Sequence, residues 1–251
     1  MIEKALRYLH SLARPAHLEI GQNGRVFLLN EDGGYSPVLA PKPDHLRLAT
    51  LTSLVDALVV NRDALNLEEV YVHVEDPETV SVYSKVSGPE REREVLYRVH
   101  AKLPDLVLDH FQELETFRIG LMAGFMDREE RDDILAMTAG VKNESSGTIK
   151  DNGVSQSLDV KVGASTLETK RTKGSYKLAP YRTFLEVEQP ASAFVFRIRE
   201  DHGFTAGLFT ADGGAWRLTA MENVGAWLRN ALKNALVSNE PGVSVTVPVL
   251  V

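Results

Sequence analysis

One stretch limits the folds open to this chain more than any other: Ala179–Leu236, APYRTFLEVEQPASAFVFRIREDHGFTAGLFTADGGAWRLTAMENVGAWLRNALKNAL, which holds both tryptophans. Its apolar period changes part-way along. Thr183–Glu188 reads as a strand, ended by Gln189-Pro190 because proline brings no N–H to a ladder. Phe194–Ile198 places Phe194, Phe196 and Ile198 on one side. Asp201-His202-Gly203 then turns the chain, and Phe204–Thr210 returns as the second arm of a hairpin. After Asp212-Gly213-Gly214, the residues Leu218, Met221, Val224, Trp227, Leu228, Leu232 and Leu236 recur at three- and four-residue steps, which is the period of a helix with an apolar stripe. The prediction is three strands closed by one helix. Trp216 and Trp227 stand about 20° apart at 100° per residue. Both are expected as core anchors facing Phe194, Phe196 and Ile198.

The rest of the chain punctuates clearly. Ile2, Ala5, Leu6, Leu9, Leu12 and Ala13 mark a short helix stopped by Pro15. Gly21-Gln22-Asn23-Gly24 sits between the apolar runs 18–20 and 26–29, a hairpin signal. Gly33-Gly34, Pro37, Pro41 and Pro43 predict an extended, stiff arm. Leu48, Leu51, Leu54, Val55 and Leu58 predict a helix with Thr50 as its cap. Val70–Val74, Val80–Val86 and Val95–Ala101 read as strands, the last two joined by a tip of five consecutive charges, Glu90–Glu94. Asp109 is expected to cap a helix bearing Phe111, Leu114, Phe117, Leu121 and Phe125. Asp127 is expected to cap the next, with Glu130 in the first turn. The segment 143–153 has loop chemistry, and Leu158–Val162 alternates as a strand. The run Val243–Val251, VSVTVPVLV, is uncharged and β-rich, an edge ready to pair with another chain if left open. Strands coming in runs favour α+β over a doubly wound sheet.

Several strings carry a resemblance. They are TLTSLVDAL at Thr50–Leu58, VEDPETVSVYS at Val74–Ser84, DNGVSQSLDVKVG at Asp151–Gly163, APYRTFLEVEQPASAFVFR from Ala179, and LFTADGGAW at Leu208–Trp216. In these the chain, roughly residues 45–236, resembles the YfdQ-like family of uncharacterised phage and prophage proteins. The resemblance implies a phage origin and no activity.

Composition narrows the function classes. Hydrophobic residues make up 43% and charged residues 25% of the 251, ordinary for a globular protein with an ample core. No apolar run is long enough for a membrane span, and the first fifteen residues lack a signal-peptide core, so a cytoplasmic place is expected, in the host if the chain is phage-encoded. With no cysteine, disulfides, thiolate zinc sites and cysteine nucleophiles are excluded. A net charge of −7 opposes whole-surface attraction to nucleic acid or anionic lipid. One window runs against it. Lys161, Lys170, Arg171, Lys173, Lys177 and Arg182 face a single acid, Glu168, giving +5 against −12 elsewhere.

That window, with Tyr176 and Tyr181, is the candidate nucleic-acid contact, since it joins phosphate-pairing charge to stacking rings. The plainer reading is a basic loop pairing with acidic surface elsewhere. The seven histidines show no ligand spacing, although His73 and His100 fall in predicted strands and could approach one another. Asp127, Glu129, Glu130, Asp132 and Asp133 suit a helix start, where carboxylates favour the dipole. Glu186 and Glu188 share a face of the predicted strand and form a weak metal pair. No nucleophile elbow, phosphate loop or dinucleotide fingerprint is present. No enzyme, cofactor or metal site is expected.

The expectation is therefore an α+β protein of antiparallel hairpins and mixed sheet, packed with about five helices around one continuous core. Residues 1–44 form a helix, a hairpin and the proline-rich arm, and residues 45–251 form the main domain. The expected role is that of a non-catalytic phage structural protein that assembles with itself into a ring or shell. Val245, Val247, Val249 and Val251 are the candidate subunit contacts, and a capsid-like shell rests on analogy alone. The alternative is an accessory of phage DNA metabolism that grips single strands through residues 161–182.

Overall fold

The computed structural model describes residues 4, 18–20, 26–29, 34–38, 42–88, 91–139, 150–151, 156–162, 166–200, 203–236 and 246–251. The fold is α+β, with mixed and antiparallel sheets. The chain divides into two compact units, Met1–Asp44 and His45–Val251.

In the first unit, β1 (Leu18–Ile20), β2 (Val26–Leu29) and β3 (Tyr35–Pro37) form an antiparallel sheet in that order. The two arms of the expected hairpin pair antiparallel, Leu18 opposite Leu28 and Ile20 opposite Val26, while the glycine turn itself lies outside the described residues. The proline arm starts later than the sequence implies. Pro37 lies opposite Phe27 at the end of a paired strand, a terminal position where its missing N–H does little harm. Of the predicted first helix only Lys4, which is helical, is described.

In the second unit, β4 (Leu46–Leu48), β5 (Val70–Asp76), β6 (Thr79–Ser84), β7 (Val95–His100) and β15 (Val249–Leu250) build a five-stranded sheet in the order β15-β5-β6-β7-β4. The three central strands are antiparallel, and each edge strand joins in parallel. Alternation along β5 and β6 sends Val70, Val72, Val74, Val80 and Val82 to one face, where helices α1 (Leu51–Val60) and α4 (Trp216–Ala235) cover them. Helix α1 is held at both ends. Thr50 Oγ1 accepts from Ser53 N–H at 3.1 Å, and Asn61, left-handed at φ 44°, returns its N–H to Ala57.

A second sheet runs β12 (Tyr176–Leu178), β13 (Ser192–Glu200), β14 (Phe204–Thr210), β8 (Gln112–Glu113). Helices α2 (Leu114–Gly124) and α3 (Glu129–Ala139) pack on it through Phe117, Leu121, Ile134 and Met137, which meet Phe194, Phe196 and Ile198. A third sheet holds β9 (Lys150–Asp151), β10 (Gln156–Val162) and β11 (Thr166–Arg171). Its base docks on β13 by one side chain. Gln156 donates to the Ile198 carbonyl at 3.0 Å and accepts the Ile198 N–H at 2.9 Å, so a buried amide takes the place of a neighbouring strand.

Several sequence expectations are corrected. The apolar core of the described residues is two clusters, one under each larger sheet, not one continuous body; four α-helices lie wholly among the described residues, in keeping with the expected number of about five. The α4 stripe (Ala220, Val224, Leu228, Leu232) belongs to the five-stranded sheet, so it does not face Phe194, Phe196 and Ile198. The tryptophans do share a side of α4, but it is the flank of that stripe, and both are half-buried, while Leu218 is 61% exposed. Thr183–Glu188 is a turn, not a strand. Its backbone wraps the Gln189 amide, which accepts from the N–H groups of Arg182 and Thr183 and donates to the carbonyls of Thr183, Phe184 and Val187. Those local bonds compete with any ladder. Asp109 is not a helix cap. It is left-handed at φ 61°, and its carboxylate takes the Thr210 N–H at 2.7 Å. The loop before α2 thereby lies on β14, and Gly207 admits it: a Cβ there would stand 2.7 Å from the His110 carbonyl oxygen.

Candidate functional site

The basic window does not form one surface. Lys161 and Lys170 take register positions on β10 and β11 opposite Leu167 and Leu158, and Arg171 is exposed at the end of β11. Lys173 Nζ lies 2.9 Å from Asp133 and 3.3 Å from Glu130, and the hydrogen bond to Asp133 raises its pKa. Glu130 also takes the Lys177 backbone N–H. Two of the five acids at that helix start, Glu130 and Asp133, are thus spent on the basic strip, as the plainer reading of the basic run holds. Tyr176 is buried at 1% exposure, with its ring edge-on to Phe196. Burial raises its pKa.

Among the basic residues whose side chains are described, Arg182 is the most enclosed, at 6% exposure. Its guanidinium lies 3.8 Å from the Trp216 ring centre and 5.7 Å from that of Phe194, and it donates to Ser192 Oγ. Desolvation pulls its pKa down to about 10, against the pull of Asp212, whose carboxylate is 4.0 Å away. An arginine so placed clamps the start of α4 to the turn at 183–188. It presents nothing to a phosphate. Tyr181 is half-buried beside it.

The acidic candidates are also absorbed. Glu186 Oε1 accepts from the Leu51 N–H at 2.8 Å and the Thr52 N–H at 3.3 Å, so a carboxylate 135 residues away in sequence caps α1 at its positive end. Glu188 reaches Arg128 at 3.8 Å. His73 and His100 stand on β5 and β7 with β6 between them, and His100 Nδ1 lies 3.2 Å from Thr79 Oγ1. Among the described residues no cluster of three His, Asp or Glu could hold a metal ion. In the same set no helix is long and apolar enough to cross a membrane.

The described part of the closing run, residues 246–251, is used within the chain. Val247 is buried in the core, Val249 pairs with Val72, and Arg229 donates to the Val249 carbonyl at 3.2 Å. Gly225 makes the room, since a Cβ there would collide with the Val251 side chain. Val247 is therefore corrected from subunit contact to core residue. Val251 keeps 45% exposure, and Val245 lies outside the described residues.

What the sequence reading missed is the outward face of α2. At 100° per residue Phe117, Leu121 and Gly124 share the buried side, and Glu115, Arg118, Ile119 and Met122 share the opposite one. Ile119 is 55% and Met122 51% exposed. With Glu113, Leu114 and Thr138 they line a shallow cleft of about 320 Å³. Two apolar side chains one turn apart, bracketed by a glutamate and an arginine, suit a helix partner. The signal was in the sequence, for Ile119 and Met122 fall between the turns of the Phe117/Leu121 stripe, but only the fold shows which side is covered. Compared with known protein families, with curated proteins and with solved structures, the chain matches none.

Proposed function

We propose that this is a non-catalytic structural protein of phage or prophage origin, working in the host cytoplasm, whose subunits associate through the outward face of α2. The observation that carries the reading is the Ile119–Met122 pair, half exposed between Glu115 and Arg118. Two copies of α2 laid antiparallel about a twofold axis would set Glu115 of each against the partner's Arg118. The same axis sets Leu114 against the partner's Ile119. A patch that is its own complement is what a twofold contact requires. Larger rings or shells would need a second contact.

Sedimentation of the full chain at micromolar concentration tests this. The expected result is a dimer or larger body that Ile119→Asp reduces to monomer with an unchanged melting temperature, and that a Glu115→Arg/Arg118→Glu double variant restores where either single change weakens it. A monomer throughout removes the proposal. The competing reading, single-strand binding through residues 161–182, has less support, because Tyr176 and Arg182 are buried and Lys173 is held by two carboxylates.

A further inference from the structure

The five-stranded sheet has two faces, and helices α1 and α4 cover one of them. Alternation sends Tyr71, His73 and Glu75 of β5 to the other. The registers then extend that face across the sheet: His73 stands opposite Ser81, Ser81 opposite Arg98, and Arg98 opposite Arg47. Beside this row Tyr71 faces Tyr83, their rings stacked at 5.6 Å and 16°. Arg93 reaches over from the β6–β7 tip to 5.6 Å from the Tyr71 ring centre.

The polar groups there are organised. Arg98 Nε donates to Ser81 Oγ at 3.1 Å, and its Nη2 lies 3.4 Å from Glu75. Tyr83 donates its hydroxyl to the same carboxylate at 2.6 Å. Burial pushes the Glu75 carboxyl up, but the bonds from Tyr83 and Ser81 and the Arg98 charge hold it below its ordinary value. Glu75 thus stays ionised and fixes both an arginine and a tyrosine ring. Ser81 is wholly buried, Tyr71, His73 and Tyr83 are half-buried, and Arg47 and Arg93 are exposed.

Arg47, Arg93 and Arg98 stand with Glu75 on or over this face, Arg93 reaching it from between Glu92 and Glu94 of the tip. They surround an aromatic pair that is already rigid. We infer that the outward face of the five-stranded sheet binds single-stranded nucleic acid, with Tyr71 and Tyr83 as the stacking platform and Arg47, Arg93 and Arg98 as phosphate contacts. Bases offer ring faces whatever their sequence, and a flat β surface lets successive bases lie down on it. A duplex buries its base faces, so it should bind more weakly.

The test is fluorescence anisotropy of labelled oligothymidylate and oligouridylate with the full chain, titrated at low and at raised salt. Binding is expected, with log K falling against log salt at a slope of about −2 if three phosphates are neutralised. Tyr71→Ala should weaken binding roughly tenfold or more, and Tyr71→Phe should keep it, because the stacking ring remains. Arg47→Ala, at an exposed position, should reduce the salt slope by about 0.7. Ile119→Asp should bind as the parent does, which separates this inference from the α2 contact. No binding to either oligonucleotide at low salt overturns the inference. So does binding that Arg47→Ala and Tyr71→Ala both leave unchanged. If Tyr71→Ala melts early, Arg47→Ala decides alone.

Discussion

Helices α4 and α2 carry their apolar residues at the same spacing and use them in opposite ways. The α4 stripe is closed over by the five-stranded sheet, and Gly225 even yields space for the closing residues 246–251. Helix α2 gives Phe117 and Leu121 to the four-stranded sheet and turns Ile119 and Met122 outward. Period alone shows that a helix has an apolar side. How many sides are covered depends on what the fold has left to cover them with. The same contrast separates the two cores, one built of valine and leucine under a mixed sheet, the other of phenylalanine under an antiparallel one.

The largest expected effects come from breaking each core singly. Phe196→Ala and Leu228→Ala, both at 0% exposure, should cost about 3–5 and 2–5 kcal/mol respectively, through lost burial and the cavity left. Because they lie in separate clusters, the double variant should add within about 0.5 kcal/mol in urea melts. A coupling well beyond that would mean the two cores act as one. Trp227→Ala, at a half-buried flank, should cost less than either.

A smaller effect distinguishes the two faces of the five-stranded sheet. Tyr97 on the covered face donates to Asp63 at 3.0 Å, and burial, with that bond, pushes its pKa up to about 12. The folded state holds this proton more tightly than the unfolded chain, whose tyrosines ionise near 10. The resulting stability is therefore fully present below about pH 10 and lost as pH rises towards about 12. Tyr97→Phe should flatten the fall in unfolding free energy, read from urea melts between those limits, by up to about 2 kcal/mol. A midpoint that falls equally in both proteins would assign the alkaline loss elsewhere.

The smallest effect concerns α1. Glu186→Gln keeps a hydrogen-bond acceptor near Leu51 and Thr52 but removes the charge at the positive end of the helix. It should cost about 0.3–1 kcal/mol, less in raised salt. A loss that ignores salt would show the carboxylate acting by hydrogen bonding alone.

Most of the local architecture was legible in the sequence. The β13–β14 hairpin, the Thr50 cap and the β5–β6–β7 meander follow from alternation and turn residues, which act over a few positions. The failures share a cause at longer range or in side-chain chemistry. Nothing in TFLEVE announces that the amide of Gln189 will bind its backbone four times and the Arg182 N–H once. Arg182 looked like surface charge because its partner Trp216 lies 34 positions on. Of the candidate surface, the pairing of Lys173 with Glu130 and Asp133 was readable as charge balance. The outward face of α2 was not readable, since burial of one side is a property of the neighbours.

The pairing of Val249 with Val72 also sets a timetable. The strand that completes one edge of the five-stranded sheet is made roughly 180 residues after the strand it joins. At synthesis rates of about 5–20 residues per second, β5 waits some 10–35 s for it. Through that interval the growing chain exposes a valine-rich edge with open backbone groups, so whatever shields that edge on the ribosome governs the yield of folded protein.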